Sequence, residues 1–217
     1  MKFDIITIFP DIIREYFSEG VIARANEAGI ISIRGHNVRD WTEDRHKTVD
    51  APPFGGGPGM VMKIEPLYRA VQEFKTQNPK SKIILTSPRG KPFTQKKAKE
   101  YSVLDQLIII CGRYEGIDER VSTHVADEVI SIGDYVLSGG EIAALAIVEA
   151  TARLIPGVLG NEESPDHDLF PEYTRPEVFI TDDGKKLRVP KILLSGNHKL
   201  IDEWRKRKTK KKLDKYF

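Results

Sequence analysis

Apolar and polar positions alternate along the first forty residues in the order expected of a strand–helix–strand unit. Residues 3–9 are mostly apolar and β-branched, which predicts a buried first strand. Residues 11–28 have helical periodicity, and Gly20 divides them into two helices. Residues 30–38 return to a strand pattern after Gly29. This β-α-β start predicts a parallel sheet.

Three short apolar runs further along the chain predict buried strands, and each is followed by a loop that contains glycine. The runs and their loops are residues 82–86 with 87–90, 107–110 with 111–120, and 129–132 with 133–140. In open α/β sheets, ligands bind at the carboxyl ends of the strands. The pattern therefore predicts a pocket where these loops meet, without selecting a ligand.

Three further segments have helical patterns. Residues 64–76 are amphipathic, and a basic helix is predicted around residues 94–101. Residues 142–154 are apolar nearly all round, which predicts a helix buried on more than one side, in a core or between subunits. Ser138 and Glu141 have the spacing of a capping box at its start.

The remaining segments are irregular. Residues 39–62 are charged and then glycine-rich, and a loop this long is usually functional or disordered. Residues 161–176 are polar and rich in proline, which predicts a linker. Residues 187–194 are predicted to pair as a short strand. A helix capped by Asn197 is predicted to run through Trp204 and then dissolve into a charged tail.

Composition indicates a globular protein of one large or two modest domains. The 217 residues are 40% apolar and 30% charged, with no apolar run of the ~18 residues that a membrane span needs. One cysteine excludes an intramolecular disulfide, and with five scattered histidines it argues against structural zinc. The N-terminus lacks signal-peptide features. We therefore expect a cytoplasmic protein that does not cross a membrane.

Charge is distributed unevenly. Residues 185–217 hold 13 Lys/Arg against 3 Asp/Glu, a net of +10, whereas residues 1–184 have a net of −8. Clustered cations bind phosphates, so the tail indicates a polyanion partner, although a solvated tail has the same composition. From these residues alone, we expect an α/β enzyme that binds a nucleotide-like ligand and has a basic tail facing RNA.

Several long motifs carry a resemblance to a known family. The chain resembles the bacterial tRNA (guanine-N1)-methyltransferases of the SPOUT superfamily from residue 1 to about residue 205, with the motifs in the family's order. The motifs are residues 44–50, 54–60, 111–120, 131–141, 155–160, 173–177 and 193–198.

The resemblance implies a fold, a reaction and an assembly. The implied fold is α/β, with a mostly parallel sheet, a deep C-terminal trefoil knot and a small, mainly helical C-terminal domain. The implied domains are a knotted S-adenosylmethionine-binding domain over 1–160, a flexible linker over 161–177 and a basic tRNA-binding domain over 178–217. The implied reaction methylates N1 of guanosine 37 in tRNA, in a homodimer whose subunits share the active site.

The resemblance also implies site residues. The cofactor-binding residues it implies are Pro88, Gly112, Glu115, Ile132, Gly133, Asp134, Tyr135, Val136, Leu137, Gly139 and Gly140. The substrate-binding residues it implies are Asp50, Gly55, Gly59, Ser164 and His198. The family's dependence on magnesium suggests Mg²⁺ as well, but no cluster of Asp and Glu indicates where a metal would bind.

Methylation of guanine N1 requires a general base and a group that stabilises negative charge. Guanine N1 must lose its proton before it attacks, and the charge that develops on O6 needs a cation. By the resemblance, Asp168 is the base and Arg153 is the cation. The chain reaches Tyr173 earlier than the family pattern does, so Asp166 is a second candidate for the base.

Two other functions remain open at this point. One is a knotted methyltransferase that acts on another RNA base, and the other is a non-catalytic RNA-binding protein on the same scaffold. The identity of the methylated base separates the first from methylation of guanosine 37, and loss of cofactor binding would indicate the second.

Overall fold

A computed structural model of the chain describes residues 1–75, 80–160 and 170–216, with side chains up to residue 208. Contacts between residues divide the chain into two compact units, residues 1–160 and 161–217. The functions assigned above to these parts of the chain remain predictions. Within the described ranges, no helix has both the length and the apolar character to span a membrane.

A five-stranded parallel sheet forms the centre of the first unit. In chain order the strands are β1 (Lys2–Thr7), β2 (Ser32–Asn37), β3 (Asp50–Ala51), β4 (Val61–Met62), β5 (Ser81–Pro92), β6 (Gln106–Cys111) and β7 (Glu128–Ser131). The large sheet has the order β2-β1-β6-β5-β7, and all its neighbours are parallel. Strands β3 and β4 form a separate antiparallel hairpin. The predicted parallel sheet is confirmed.

Helices cover both faces of this sheet. They are α1 (Pro10–Tyr16), α2 (Gly20–Glu27), α3 (Ile64–Lys75), α4 (Gln95–Ser102) and α5 (Glu141–Ala152). One hydrophobic core joins α1, α2, α4 and α5 to the sheet. A second core, on the other face, joins α3 to the sheet together with a single π-helical turn at Val121–Val125.

The predicted division of the first helical segment is confirmed at Gly20. This glycine begins α2 with a φ of 82°, a left-handed conformation that favours glycine. The first strand is shorter than predicted and ends at Thr7, because Pro10 already occupies the first turn of α1.

Strand β5 differs from its prediction. We expected residues 87–90 to be a loop that follows the strand, but the strand resumes after them. Thr86 and Lys91 both pair with Ile130 of β7, so the four residues between them leave the ladder. A side chain at Gly90 would lie 2.5 Å from the Ile130 nitrogen, so the backbone approaches β7 closely at a glycine just before Lys91 rejoins the ladder.

Helix α5 is buried on most of its circumference, in agreement with its nearly continuous apolar sequence. Ala144, Ile147, Val148 and Ala152 are fully buried in the core. Ile142 lies on the remaining side and is 58% exposed.

The second unit contains a short antiparallel hairpin and a long helix. Its elements are β8 (Val178–Ile180), β9 (Lys186–Arg188) and α6 (His198–Tyr216). The predicted strand over 187–194 is therefore only partly correct, since a 3-10 turn occupies Lys191–Leu194.

The predicted cap of α6 is confirmed, because the Asn197 side chain accepts a hydrogen bond from Leu200 N at 3.3 Å. The predicted end of the helix after Trp204 is wrong. Lys and Arg are good helix formers, so the basic run continues the helix instead of ending it.

A cluster of charges holds the start of β7 to its neighbours. The Glu128 carboxylate contacts Lys82 Nζ at 2.6 Å and Lys97 Nζ at 3.1 Å, and it accepts a hydrogen bond from the Tyr101 hydroxyl at 2.8 Å. Burial raises the pKa of Glu128, but hydrogen bonds from Lys82, Tyr101 and Lys97 outweigh it and lower the pKa to about 2. The same carboxylate and burial raise the pKa of Tyr101.

We predict a pH-dependent stability difference between the wild type and Glu128→Gln. At pH 7 the variant should lose about 2 kcal/mol of unfolding free energy, because Lys82 and Lys97 lose a charged partner. Between pH 4.5 and about 2, the unfolded Glu128 takes up a proton while the folded one stays ionised. The wild-type advantage should therefore disappear as the pH falls through this window.

Urea titrations of both proteins from pH 7 to pH 2 measure this difference. Glu27→Gln, at an exposed position in the last turn of α2, is the matched control and should show no such trend. A wild-type advantage that stays constant with pH would contradict the role of Glu128.

Candidate functional site

A cavity opens at the carboxyl ends of β5, β6 and β7, where the three predicted loops meet. Its volume is ≈ 350 Å³, within the range of pockets that hold small molecules. The lining combines glycines and other small residues with larger apolar, aromatic and charged side chains. The lining residues come from segments 85–89, 112–117, 130–133 and 135–140, with Val61, Glu119, Ser122 and Ala143.

Gly140 closes the wall between two of these loops. Its backbone nitrogen donates to the Gly112 carbonyl at 2.9 Å. A methyl group at Gly140 would overlap the Thr86 hydroxyl and lie 2.9 Å from both Cys111 Cα and Gly112 N. The ends of β5 and β6 therefore approach this backbone so closely that only glycine fits.

Glu141 does not form the predicted capping box. Gly140 is the N-cap of α5 and makes no side-chain cap, so the prediction from Ser138 and Glu141 is wrong. The Glu141 side chain instead turns into the core, where it is 1% exposed. It accepts hydrogen bonds from Thr7 Oγ1 at 2.6 Å and from Arg113 Nε at 2.9 Å.

Arg113 connects this buried carboxylate to the cavity wall. Its Nη1 donates to the Ser138 carbonyl at 3.3 Å, and its guanidinium lies 4.7 Å from the centre of the Phe9 ring. A buried ion needs both a partner and hydrogen bonds, and Glu141 has them from Arg113 and Thr7. Sequence patterns do not identify Arg113 and Thr7 as partners of Glu141, because both lie far from it in the chain.

Cys111 lies beside the same carboxylate at the end of β6. It is fully buried, and burial together with the Glu141 charge raises the pKa of its thiol well above the usual value. The side chain therefore remains a neutral thiol that packs as a small apolar group.

An ion pair bridges two segments of the cavity lining. Arg89, in the excursion of β5, contacts Glu119 at 2.7 Å, and Ser122 also donates to Glu119 at 2.6 Å. Hydrogen bonds from Ser122 and Arg89 lower the pKa of Glu119. Both charged side chains are largely exposed, so the pair contributes little to stability.

Backbone hydrogen bonds attach the glycine-rich segment to the cavity wall. Glu115 N donates to the Met60 carbonyl, Met62 N to Gly116, and Asp118 N to Met62, at 2.9–3.0 Å. A methyl group at Gly59 would overlap the Glu115 side chain. Gly59 and Met60 thus lie against segment 115–118, part of which lines the cavity.

One residue of the wall has a strained backbone. Tyr114 has a φ of 59°, in the left-handed region that non-glycine residues rarely adopt. Such conformations occur most often where a site needs a fixed geometry.

The structure brings most of the predicted cofactor residues together. All of them line the cavity except Asp134, which is exposed at the outer side of the 132–140 loop. Among the predicted substrate residues, Asp50 lies in β3, while Gly55 and Gly59 lie in the loop of the β3–β4 hairpin. His198 is the first residue of α6, in the second unit.

The predicted catalytic residues are only partly described. Arg153 is the C-cap of α5 and is half-buried. Its guanidinium makes no hydrogen bond or ion pair with another residue of the described ranges. Asp168, its alternative Asp166, and Ser164 lie outside the described residues. Across the described part of the chain, no group of three or more His, Cys, Asp or Glu side chains is arranged to hold a metal.

Comparison with known proteins gives a consistent result along the whole chain. The sequence model of a protein family matches residues 1–216, and that family is described as tRNA (Guanine-1)-methyltransferase TrmD. The protein named tRNA (guanine-N(1)-)-methyltransferase from Citrifermentans bemidjiense is 51% identical over 214 residues, which cover 95% of this chain and 84% of the relative. The proteins of the same name from Carboxydothermus hydrogenoformans and Geobacillus kaustophilus are 50% and 46% identical over 216 residues. These matches cover 96% of this chain, and 83% and 86% of the two relatives.

Proposed function

The chain belongs to the tRNA (guanine-1)-methyltransferase family, and from this premise we propose that it methylates N1 of guanosine 37 in tRNA with S-adenosylmethionine as the methyl donor. The observation that carries the proposal is the cavity of ≈ 350 Å³ that forms where the excursion of β5 meets the loops after β6 and β7. Because the proposed substrate is tRNA, we also propose that the protein acts in the cytoplasm.

The residues around the cavity suit this cofactor. Backbone groups at Gly112 and residues 132–137 would hold the adenosine and methionine parts, and Pro88, Glu115, Gly139 and Gly140 complete the wall. The sulfonium group supplies a methyl group that needs no further activation. The task of the protein is therefore alignment of the attacking nitrogen with that methyl.

The remaining chemistry concerns one proton and one developing charge. Asp168 takes the proton from guanine N1 as the N1–C bond forms, and Arg153 stabilises the negative charge that spreads to O6. The half-buried guanidinium of Arg153, without an ion-pair partner among the described residues, suits that role. The assignment of Asp168 depends on the family match alone. Mg²⁺ is included on the same ground, without an assigned site.

We also propose that residues 1–160 form a trefoil knot. Strand β7 lies at the edge of the sheet, and the segment that follows it returns past β5 to the end of β6, where Gly140 bonds to Gly112. If residues 132–140 thread through a loop of the chain to form the knot, they must return toward the middle of the sheet in this way.

A homodimer is proposed from exposed apolar side chains near the cavity. Helices α1 and α5 pack against each other, yet four apolar side chains on or next to them remain 40–58% exposed. They are Phe9, Ile12, Tyr16 and Ile142. Val136, in the cavity wall, is 83% exposed. A second copy that covers this surface would bring its own residues to the site. Sedimentation equilibrium tests this, and a fully active monomer would contradict it.

Methylation of unmodified tRNA transcripts tests the proposed reaction. Transcripts that differ only at positions 36 and 37 are incubated with the donor, and the methylated base is identified by mass spectrometry. We expect 1-methylguanosine at position 37 and no product when guanosine 37 is replaced by adenosine. Methylation of a different base would indicate another RNA substrate. Binding of tRNA without cofactor binding or methylation would indicate a non-catalytic RNA-binding protein.

We predict that deletion of residues 205–217 weakens tRNA binding and flattens its salt dependence. The deleted part of α6 is strongly basic, and each phosphate contact contributes to the slope of binding against salt. Removal of several contacts should weaken binding at least about tenfold in 0.1 M salt. Binding titrations at several salt concentrations measure both effects. Cofactor affinity serves as the control and should not change, whereas an unaltered salt slope would contradict a role for the tail.

A further inference from the structure

The most exposed aromatic side chain of the described residues is Phe54, in the loop of the β3–β4 hairpin. Its exposure is 103%, whereas no other described aromatic side chain exceeds 54%. A phenylalanine of this exposure contributes no burial to folding, since the gain from an apolar side chain is proportional to the area removed from water. Its ring is therefore available to a partner.

A β-turn presents the ring to solvent. Gly56 N donates to the Pro53 carbonyl at 3.3 Å, which places Phe54 and Gly55 at the two central positions. Gly55 has a φ of 86°, as the third residue of a type II turn requires. Phe54 thus occupies the corner of a defined turn, with its side chain directed away from the hairpin.

The same loop is connected to the cavity wall. Met60 and Met62 share three backbone hydrogen bonds with segment 115–118, and Gly59 fits against Glu115. Only residues 55–59 separate Phe54 from these hydrogen bonds, so the ring lies a short length of chain away from the wall of the proposed methyl-donor site.

The proposed reaction creates a need for an aromatic surface at this place. N1 lies on the Watson–Crick edge of guanine, and an enzyme reaches such an atom by taking the base out of its stack. Bases of single-stranded RNA loops that lose a stacking neighbour are commonly stacked on Phe, Tyr or Trp. A base has two apolar faces and no net charge, which matches an isolated ring on a loop whose other residues from 52 to 59 are glycine and proline.

We propose that Phe54 stacks on an unpaired nucleobase of the RNA loop that carries the methylated guanine. This inference rests on the proposed function, and it adds a substrate-binding residue to it. Phe54 does not take part in the chemical step.

Binding of an anticodon stem–loop RNA to three variants tests the proposal. Phe54→Ala should weaken RNA binding about tenfold or more, because base–aromatic stacking is lost. Phe54→Leu should be equally weak, since it keeps an apolar side chain without a ring, and Phe54→Trp should bind like the wild type. Val103→Ala, at a position that is 79% exposed at the end of α4, is the matched control and should bind normally. Affinity for S-adenosylhomocysteine should be unchanged in all variants.

Stem–loops with a single abasic nucleotide identify the stacked base. One abasic position should weaken binding of the wild type but cause no further loss in Phe54→Ala. Wild-type affinity in Phe54→Leu, additive losses at every position, or a shifted monomer–dimer equilibrium in Phe54→Ala would overturn the proposal. Failure of the wild type to bind or methylate RNA would instead remove the proposed function, so the two failures are distinguishable.

Discussion

Replacement of Gly140 by valine is expected to weaken S-adenosylhomocysteine binding about tenfold to hundredfold. The first side-chain carbon would overlap the Thr86 hydroxyl and press on the backbone at Cys111 and Gly112. Overpacking of this kind usually costs about 1–3 kcal/mol, here at the point where the 132–140 loop joins the end of β6. Isothermal titration calorimetry measures the affinity, and circular dichroism verifies that the variant is folded.

Gly160→Val is the matched control for this experiment. Gly160 lies at the end of the first unit and has no left-handed φ. No heavy atom of the described residues lies within 4 Å of the position of an added side chain. This variant should bind the cofactor product like the wild type. A folded Gly140→Val protein with unchanged affinity would exclude the 132–140 loop from the site.

Replacement of Asp168 by asparagine is expected to slow methyl transfer at least about 10²-fold under single-turnover conditions. Asparagine keeps the size of the side chain but does not accept the N1 proton, and general-base catalysis typically contributes ~10²–10⁴ in rate. Affinities for tRNA and cofactor should stay near those of the wild type, because the lost interaction belongs to the transition state. Rapid-quench measurements with saturating enzyme give the rate of the chemical step.

Asp166→Asn is the comparison for Asp168→Asn, since both carboxylates belong to the same polar segment. It should slow the reaction far less. An exchange of the two behaviours would move the base by two residues, as the shortened segment before Tyr173 allows. A normal rate in both variants would show that the family role does not apply to either residue.

Local sequence patterns predicted most of the regular elements. The parallel sheet followed from short β-branched runs, and the break at Gly20 followed from the conformational freedom of glycine. The incorrect predictions concern the lengths of elements, which depend on tertiary contacts as well as on local sequence. Residues 187–194 satisfy a strand pattern, yet only a three-residue strand pairs there, and the basic tail extends α6 because its residues favour helix.

The candidate site was predictable in outline because parallel strands place their carboxyl ends on one edge. That rule located the three loops that supply most of the cavity-lining residues. It did not identify Arg113 or the buried side chain of Glu141, because a pairing between distant segments leaves no trace in periodicity. Phe54 was likewise part of a recognised motif, but only the turn geometry shows that its ring is exposed.

The buried carboxylate of Glu141 has a consequence for how the cavity arises during folding. It links Thr7 to a position 134 residues later in the chain, and contacts of such long sequence separation form late. The wall at 138–140 should therefore be completed in the last steps, when β1, β6 and α5 have already met. Opening of this wall would expose the Glu141 carboxylate together with Thr7 and Arg113. Hydrogen exchange of the backbone amides at 138–140 should therefore approach the rate of global unfolding. We therefore expect this part of the cavity wall to keep its shape without a ligand.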